Sequence, residues 1–222
     1  MGLLKPMKHF FLFSLILISG LSLGQRVISS QTTAITSSRY QDSLAENVIF
    51  YDGFENNAIP NLSIGWTSQS LASEGFITGT GGSSPGQANE NGFWAVPLHG
   101  IFAMSNDDVC NCNKSKDRLT SPLIDLIGNE NLNLRFSAFQ NGSGGQSAKV
   151  EVRAQGKPWT PIGDIVNSSI WRDYSFSIPR SFISTSFQFR FLYDDAGNYA
   201  SGLAIDDVYL IDEISEEFSF RK

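Results

Sequence analysis

The groups best suited to chemistry in this 222-residue chain are two adjacent carboxylates, Asp206 and Asp207. They sit in the apolar run Ser201-Gly202-Leu203-Ala204-Ile205-Asp206-Asp207-Val208-Tyr209-Leu210. Neighbouring side chains on a strand point to opposite faces, so the spacing predicts separate surroundings for the two acids: Asp206 beside Ala204 and Val208, Asp207 beside Ile205 and Tyr209. A carboxylate on an apolar strand is costly unless it is paired, hydrogen-bonded or bound to a metal. Calcium meets that need, because a hard cation gathers several oxygen ligands. A second acid-tipped strand pattern, Val48-Ile49-Phe50-Tyr51-Asp52-Gly53-Phe54-Glu55, stands early in the chain, and the two bracket everything between them.

Other catalytic parts are scarce. The histidines are His9 and His99, and His9 falls in a segment with the features of a leader: Lys5 and Lys8, an apolar run over 10–18, then small residues up to Gly24. The sequence therefore predicts a signal peptide over 1–24. His99 is then the sole histidine, which argues against a Ser-His-Asp or Cys-His hydrolase and against a histidine-rich zinc site. The acids of Asp212-Glu213-Ile214-Ser215-Glu216-Glu217 are the residue types that run glycoside hydrolysis, but they follow the last strand pattern. They read as a solvated acidic tail over 214–222, and no enzyme activity is expected.

The formal charge of −6 becomes −8 when Lys5 and Lys8 leave with the leader. A chain of this sign is a poor partner for nucleic acid, where Lys and Arg must neutralise phosphates. No later run approaches the roughly 18 apolar residues of a membrane helix. A secreted or cell-surface location without a membrane span is expected, with an extracellular protein or glycan as the partner.

Residues 25–46 are rich in Ser and Thr and lack an apolar period, so they read as a disordered spacer before a folded unit over 47–213. Strict alternation appears in Leu132-Asn133-Leu134-Arg135-Phe136-Ser137-Ala138 and in Phe187-Gln188-Phe189-Arg190-Phe191-Leu192-Tyr193. Further strands are expected at 65–68, 76–78, 93–96, 101–105, 118–123, 148–154, 161–165 and 171–178, and no stretch has the period of an amphipathic helix. About ten strands separated by Gly-, Ser- and Asn-rich turns imply an all-β, two-sheet antiparallel jelly-roll β-sandwich.

The order of these segments resembles the MAM-like, choice-of-anchor J (cleaved adhesin) domains of secreted bacterial proteins. Phe50-Tyr51-Asp52-Gly53-Phe54-Glu55 is similar to that family's opening, and Ile59-Pro60 followed by Gly65-Trp66-Thr67 continues the likeness. Asp117-Arg118-Leu119-Thr120-Ser121-Pro122-Leu123-Ile124-Asp125-Leu126 resembles its D-x-L-x-S-P-x-I-D-L strand. Lys149-Val150-Glu151-Val152 with Trp159-Thr160-Pro161-Ile162 resembles its central hairpin, and Leu203-Ala204-Ile205-Asp206-Asp207-Val208 its last strand. Vertebrate MAM domains carry disulfides that this chain lacks, so the bacterial branch is the better match. The resemblance implies a secreted, non-catalytic module for adhesion or binding. A carbohydrate-binding module beside a glycan-degrading system is the alternative.

The resemblance also implies a structural calcium ion shared by the first and last strands. Carried onto this sequence, Glu55 and Asp206 are the first ligands, the loop Asn106-Asp107-Asp108 is next, and Asp52 is a further candidate. The competing reading has these acids capping turns or pairing with Arg118 and Arg190. Asp194-Asp195 opens another oxygen-rich loop, read as a solvated turn. Cys110 and Cys112 are the sole cysteines; an oxidised pair stiffening their loop is expected in an exported protein, with free thiols as the alternative. Rings at Phe93, Trp94, Trp159, Trp171 and Tyr199 are candidates for a sugar platform, against core packing as the commoner fate of such residues.

Overall fold

A computed structural model describes residues 48–71, 75–81, 96–107 and 112–213. The chain divides into two units, Met1–Arg39 and Tyr40–Lys222, and all described residues belong to the second. The expected leader, spacer and acidic tail, together with Phe93, Trp94, Asp108 and Cys110, lie outside the described residues.

Among the described residues, eleven strands form two antiparallel sheets. In chain order they are β1 (Val48–Asp52), β2 (Thr67–Gln69), β3 (Ile77–Thr80), β4 (Ile101–Asn106), β5 (Asp117–Thr120) and β6 (Leu132–Phe139). β7 (Ser147–Arg153), β8 (Thr160–Ile165), β9 (Arg172–Ser177), β10 (Gln188–Asp194) and β11 (Gly202–Asp212) follow. One sheet runs β3-β4-β11-β6-β9 with β1 also on β11; the other runs β2-β5-β10-β7-β8. The jelly-roll sandwich expected from the alternating pattern is the fold observed.

The alternation explains the layers. Phe189, Phe191 and Tyr193 of β10 are fully buried between the sheets, while Gln188, Arg190 and Leu192 face outward. They pack with Val150 and Val152 of β7, Leu134 and Phe136 of β6, and Leu203, Ile205, Val208 and Leu210 of β11. Each such side chain contributes about 1.5–3 kcal/mol by leaving water. A smaller cluster of Val96, Phe102, Met104, Phe139 and Ala204 packs against Trp171 on the outer side of the six-stranded sheet. Parts of that sheet are therefore apolar on both faces, which is why β4 and β11 read as nearly continuous hydrophobic runs.

One expectation needs correction. The chain does not continue as strand over 121–123; it leaves β5 at Thr120 and returns as a single bridge, Ile124 with Phe187. The first and last strands, β1 and β11, are hydrogen-bonded neighbours, Tyr51 opposite Tyr209 and Asp52 opposite Val208.

β11 is the hub of the six-stranded sheet. β6 lies along one of its edges. The other edge is divided: β4 pairs with Gly202 to Ile205, and β1 pairs with Val208 to Ile211. The change of neighbour falls at Asp206 and Asp207. There the start of β4 and the end of β1 both arrive, so their flanking loops must converge on the two acids.

Candidate functional site

The separate surroundings predicted for Asp206 and Asp207 are not what the structure shows. Asp207 adopts a left-handed backbone, with φ at 48°, and the pairing of β11 with β6 shifts register between Asp206 and Tyr209. One residue of bulge cancels the alternation. Both carboxylates therefore stand on the outer face, with ligating atoms of Asp206, Asp207 and His99 all within 4.8 Å of one another. Left-handed geometry at a non-glycine residue costs about 1 kcal/mol or more and is held in place by its surroundings.

The loop before β4 supplies His99. Its Nδ1 lies 2.8 Å from Asp206 Oδ2, and its ring stacks on Trp171 at 4.3 Å between centroids. Trp171 is fixed in turn by its indole N–H, which donates to the carbonyl of Pro97 at 2.9 Å. The other oxygen of Asp206 accepts the Asp207 amide at 2.7 Å. From the β1 side come Glu55 and Tyr51. Glu55 Oε1 accepts the amide of Ile101 at 3.3 Å, two residues from His99. Gly100 permits this approach, because a side chain there would collide with that carboxylate. Tyr51, 47 % exposed, stacks on Tyr209 with centroids 4.4 Å apart.

The electrostatics follow from crowding. Burial pushes the Asp206 carboxyl up to about 6; the His99 hydrogen bond opposes that shift and the charge of Asp207 adds to it. Burial also raises Asp207. The bond to Asp206 raises His99, against its own desolvation. Burial raises the Tyr51 phenol as well, with Tyr209 and the two aspartates adding to the shift. Burial and mutual repulsion therefore make both acids hold their protons more tightly, and the imidazole beside Asp206 opposes this.

The candidate calcium ligands do not all share this place. Asp206 and Glu55 reach the same three-residue loop, His99 to Ile101. Asp52 serves elsewhere: its oxygens accept the Phe54 amide and the Trp66 indole N–H, each at 2.8 Å. Asn106 pairs with Gly202 at the far end of β4, four residues along β11 from Asp206, or about 13 Å at about 3.3 Å per residue. Asp107 beside it accepts the Ala200 amide at 2.8 Å. Cys112 is disulfide-bonded. The atoms close enough to share an ion are those of His99, Asp206 and Asp207, without Glu55; the two carboxylates suit a hard cation, whereas His99 is a ligand for softer metals. Sequence reasoning missed His99 and Asp207 as partners of Asp206.

The loop at Asp194-Asp195 is the expected turn, with residues 196–199 exposed and the amides of Ala196 and Gly197 donating to Asp194 and Asp195, each at 2.9 Å, but Asp195 also reaches inward. Asp195 is 1 % exposed and accepts the Lys114 amide at 2.7 Å and the Ser115 hydroxyl at 2.6 Å. Lys114 is itself fully buried, with Nζ 3.7 Å from Asp117 Oδ2. The ring candidates also divide. Trp159 lies beneath the guanidinium groups of Arg153 and Arg190, and Tyr199 is 46 % exposed.

The fold and its β11 hub define a two-sheet jelly roll. Among solved structures, the chain is similar to cleaved adhesin domains of Lys-gingipain from Porphyromonas gingivalis W83. The K3 domain matches with a TM-score of 0.53 at 16 % identity, covering 74 % of this chain and 97 % of that one. The K1 domain matches with a TM-score of 0.51 at 14 % identity, covering 74 % and 98 %. At such identities the likeness is one of fold. No family model and no curated relative matches the sequence.

Proposed function

We propose that this chain is a non-catalytic binding module that works outside the cell as an adhesion domain of the MAM-like, choice-of-anchor J type. Its ligand face is the outer side of the six-stranded sheet, and a structural calcium ion is held by Asp206 and Asp207 with Glu55 beside them. The observation that carries this reading is the convergence on β11: two crowded carboxylates between two aromatic pairs, His99–Trp171 and Tyr51–Tyr209. When bound, the ion neutralises the acids. The chain's own residues do the rest: the rigid sheet fixes the rings, and the rings offer apolar anchors of the kind that dominate recognition surfaces.

A glycan is the second reading for the ligand. It is favoured by the half-exposed Tyr51 ring, whose neighbours include carboxylates able to accept hydroxyl groups. A calcium-replete screen of immobilised glycans and extracellular matrix proteins distinguishes the two. Tyr51→Ala is expected to weaken whichever ligand binds by about tenfold, the scale of one lost aromatic anchor. Binding by Tyr51→Ala equal to that of the unaltered chain would place the ligand on another face.

A further inference from the structure

The outer face of the five-stranded sheet has the opposite character. Arg118 of β5, Lys149 and Arg153 of β7 and Arg190 of β10 all point outward there, in a chain whose formal charge is −6. Arg190 is balanced by Glu151 at 2.6 Å. Among the described residues Arg153 has neutral partners: its Nε and Nη2 donate to Gln188 Oε1 at 3.1 and 2.6 Å, and its guanidinium lies over the Trp159 ring. At one end of this face the turn after β7 borders an open cleft of about 230 Å³. Arg153, Lys157, Gln155, Gln188, Ser186 and Leu123 line it, and no carboxylate does. Lys157 donates to the Ser181 carbonyl, again a neutral acceptor. Leu123, 66 % exposed, gives the cleft an apolar wall.

We infer that this cleft binds an anionic polysaccharide, with Arg153 and Lys157 gripping a carboxylate or sulfate group. Two lining cations with neutral partners suit an anion, and a guanidinium suits a planar carboxylate. Gln155 and Ser186 supply donors and acceptors for hydroxyl groups, and Leu123 meets the C–H face of a sugar ring. A nucleic acid fits less well, since its dense phosphate charge meets a net-negative protein with few cations to neutralise it. The cleft lies on the sheet opposite the one that carries Asp206, so this proposal does not depend on the calcium-bearing face.

The test is affinity electrophoresis of the full chain in gels holding polygalacturonate, dextran sulfate or neutral dextran. Retardation is expected in at least one anionic gel and none in dextran, and which gel retards tells carboxylate from sulfate recognition. Raising sodium chloride from about 0.1 M to about 1 M, where the screening length falls from about 10 to about 3 Å, should abolish it. Arg153→Ala and the exposed Lys157→Ala should each weaken binding by about tenfold, with the melting temperature of Lys157→Ala unchanged. The proposal is overturned by no retardation in either anionic gel, by equal retardation in dextran, or by a Lys157→Ala chain that binds like the original. Random-sequence duplex DNA binding more tightly than both polysaccharides overturns it too.

Discussion

Replacing Lys114 with Met should lower the melting temperature by about 10 °C or more. The side chain is fully buried, its ammonium faces the buried carboxylate of Asp117, and its backbone amide is held by the buried Asp195. Burial already raises the Asp117 carboxyl, against the hydroxyls of Ser70 and Ser105 and the charge of Lys114. Met keeps the apolar stem and removes the cation. Breaking one side of a buried pair costs about 3–5 kcal/mol, because the remaining charge has lost its counterion. For a domain of this size each kcal/mol moves the midpoint by about 2–4 °C. Thermal denaturation followed by circular dichroism reads the shift directly. Adding Asp117→Asn to Lys114→Met should recover part of the loss, since the two effects are coupled rather than additive. A Lys114→Met chain that melts with the original would show that the ammonium is dispensable.

Trp66→Ala should be comparably damaging. Trp66 is 7 % exposed and packs against Phe50, Phe54 and Phe189 with centroids 5.5 to 5.9 Å apart. Its indole N–H also satisfies Asp52. Removing a buried Trp costs about 3–5 kcal/mol through lost burial and the cavity left behind. Trp66→Phe separates the two contributions, because it keeps much of the packing and loses the hydrogen bond, at about 1–3 kcal/mol. Chemical denaturation midpoints for the three chains check this order: the original most stable, Phe next, Ala least. If the Phe variant matched the Ala variant, the bond to Asp52 would outweigh the packing.

These two residues also mark where the sequence could be read and where it could not. The alternation in β6 and β10 was legible because one face of each strand is buried and the other is not, and hydrophobic period records that difference. Trp66 was legible as part of a motif, but its bond to Asp52 was not, since nothing in local spacing joins residues 14 apart across a turn. Asp52 therefore read as a possible metal ligand when it is a hydrogen-bond acceptor for a core ring. Lys114 lies in the polar run Asn113-Lys114-Ser115-Lys116, which looks like solvated loop. Its burial depends on Asp117 and Asp195 folding around it, a tertiary pairing that composition does not carry.

The candidate site shows the same limit more sharply. β11 was recognisable as a strand with two acids, yet period-two reasoning placed those acids apart. The bulge at Asp207 brings them together, and it falls where the neighbour on one edge of β11 changes from β4 to β1. That handover is a property of the whole topology. His99 meets Asp206 from 107 positions away, so its solitude in the sequence read as an argument against a role. Its partners are supplied by the sheet.

The most direct test of the account is a calcium titration of the chelator-stripped chain, read by calorimetry and by melting temperature. The account predicts one saturable binding event. It also predicts a gain of about 2.7 kcal/mol at a hundredfold excess of calcium over the dissociation constant, with both effects lost in Asp206→Asn. No heat of binding, together with identical melting in calcium and in chelator, would contradict it.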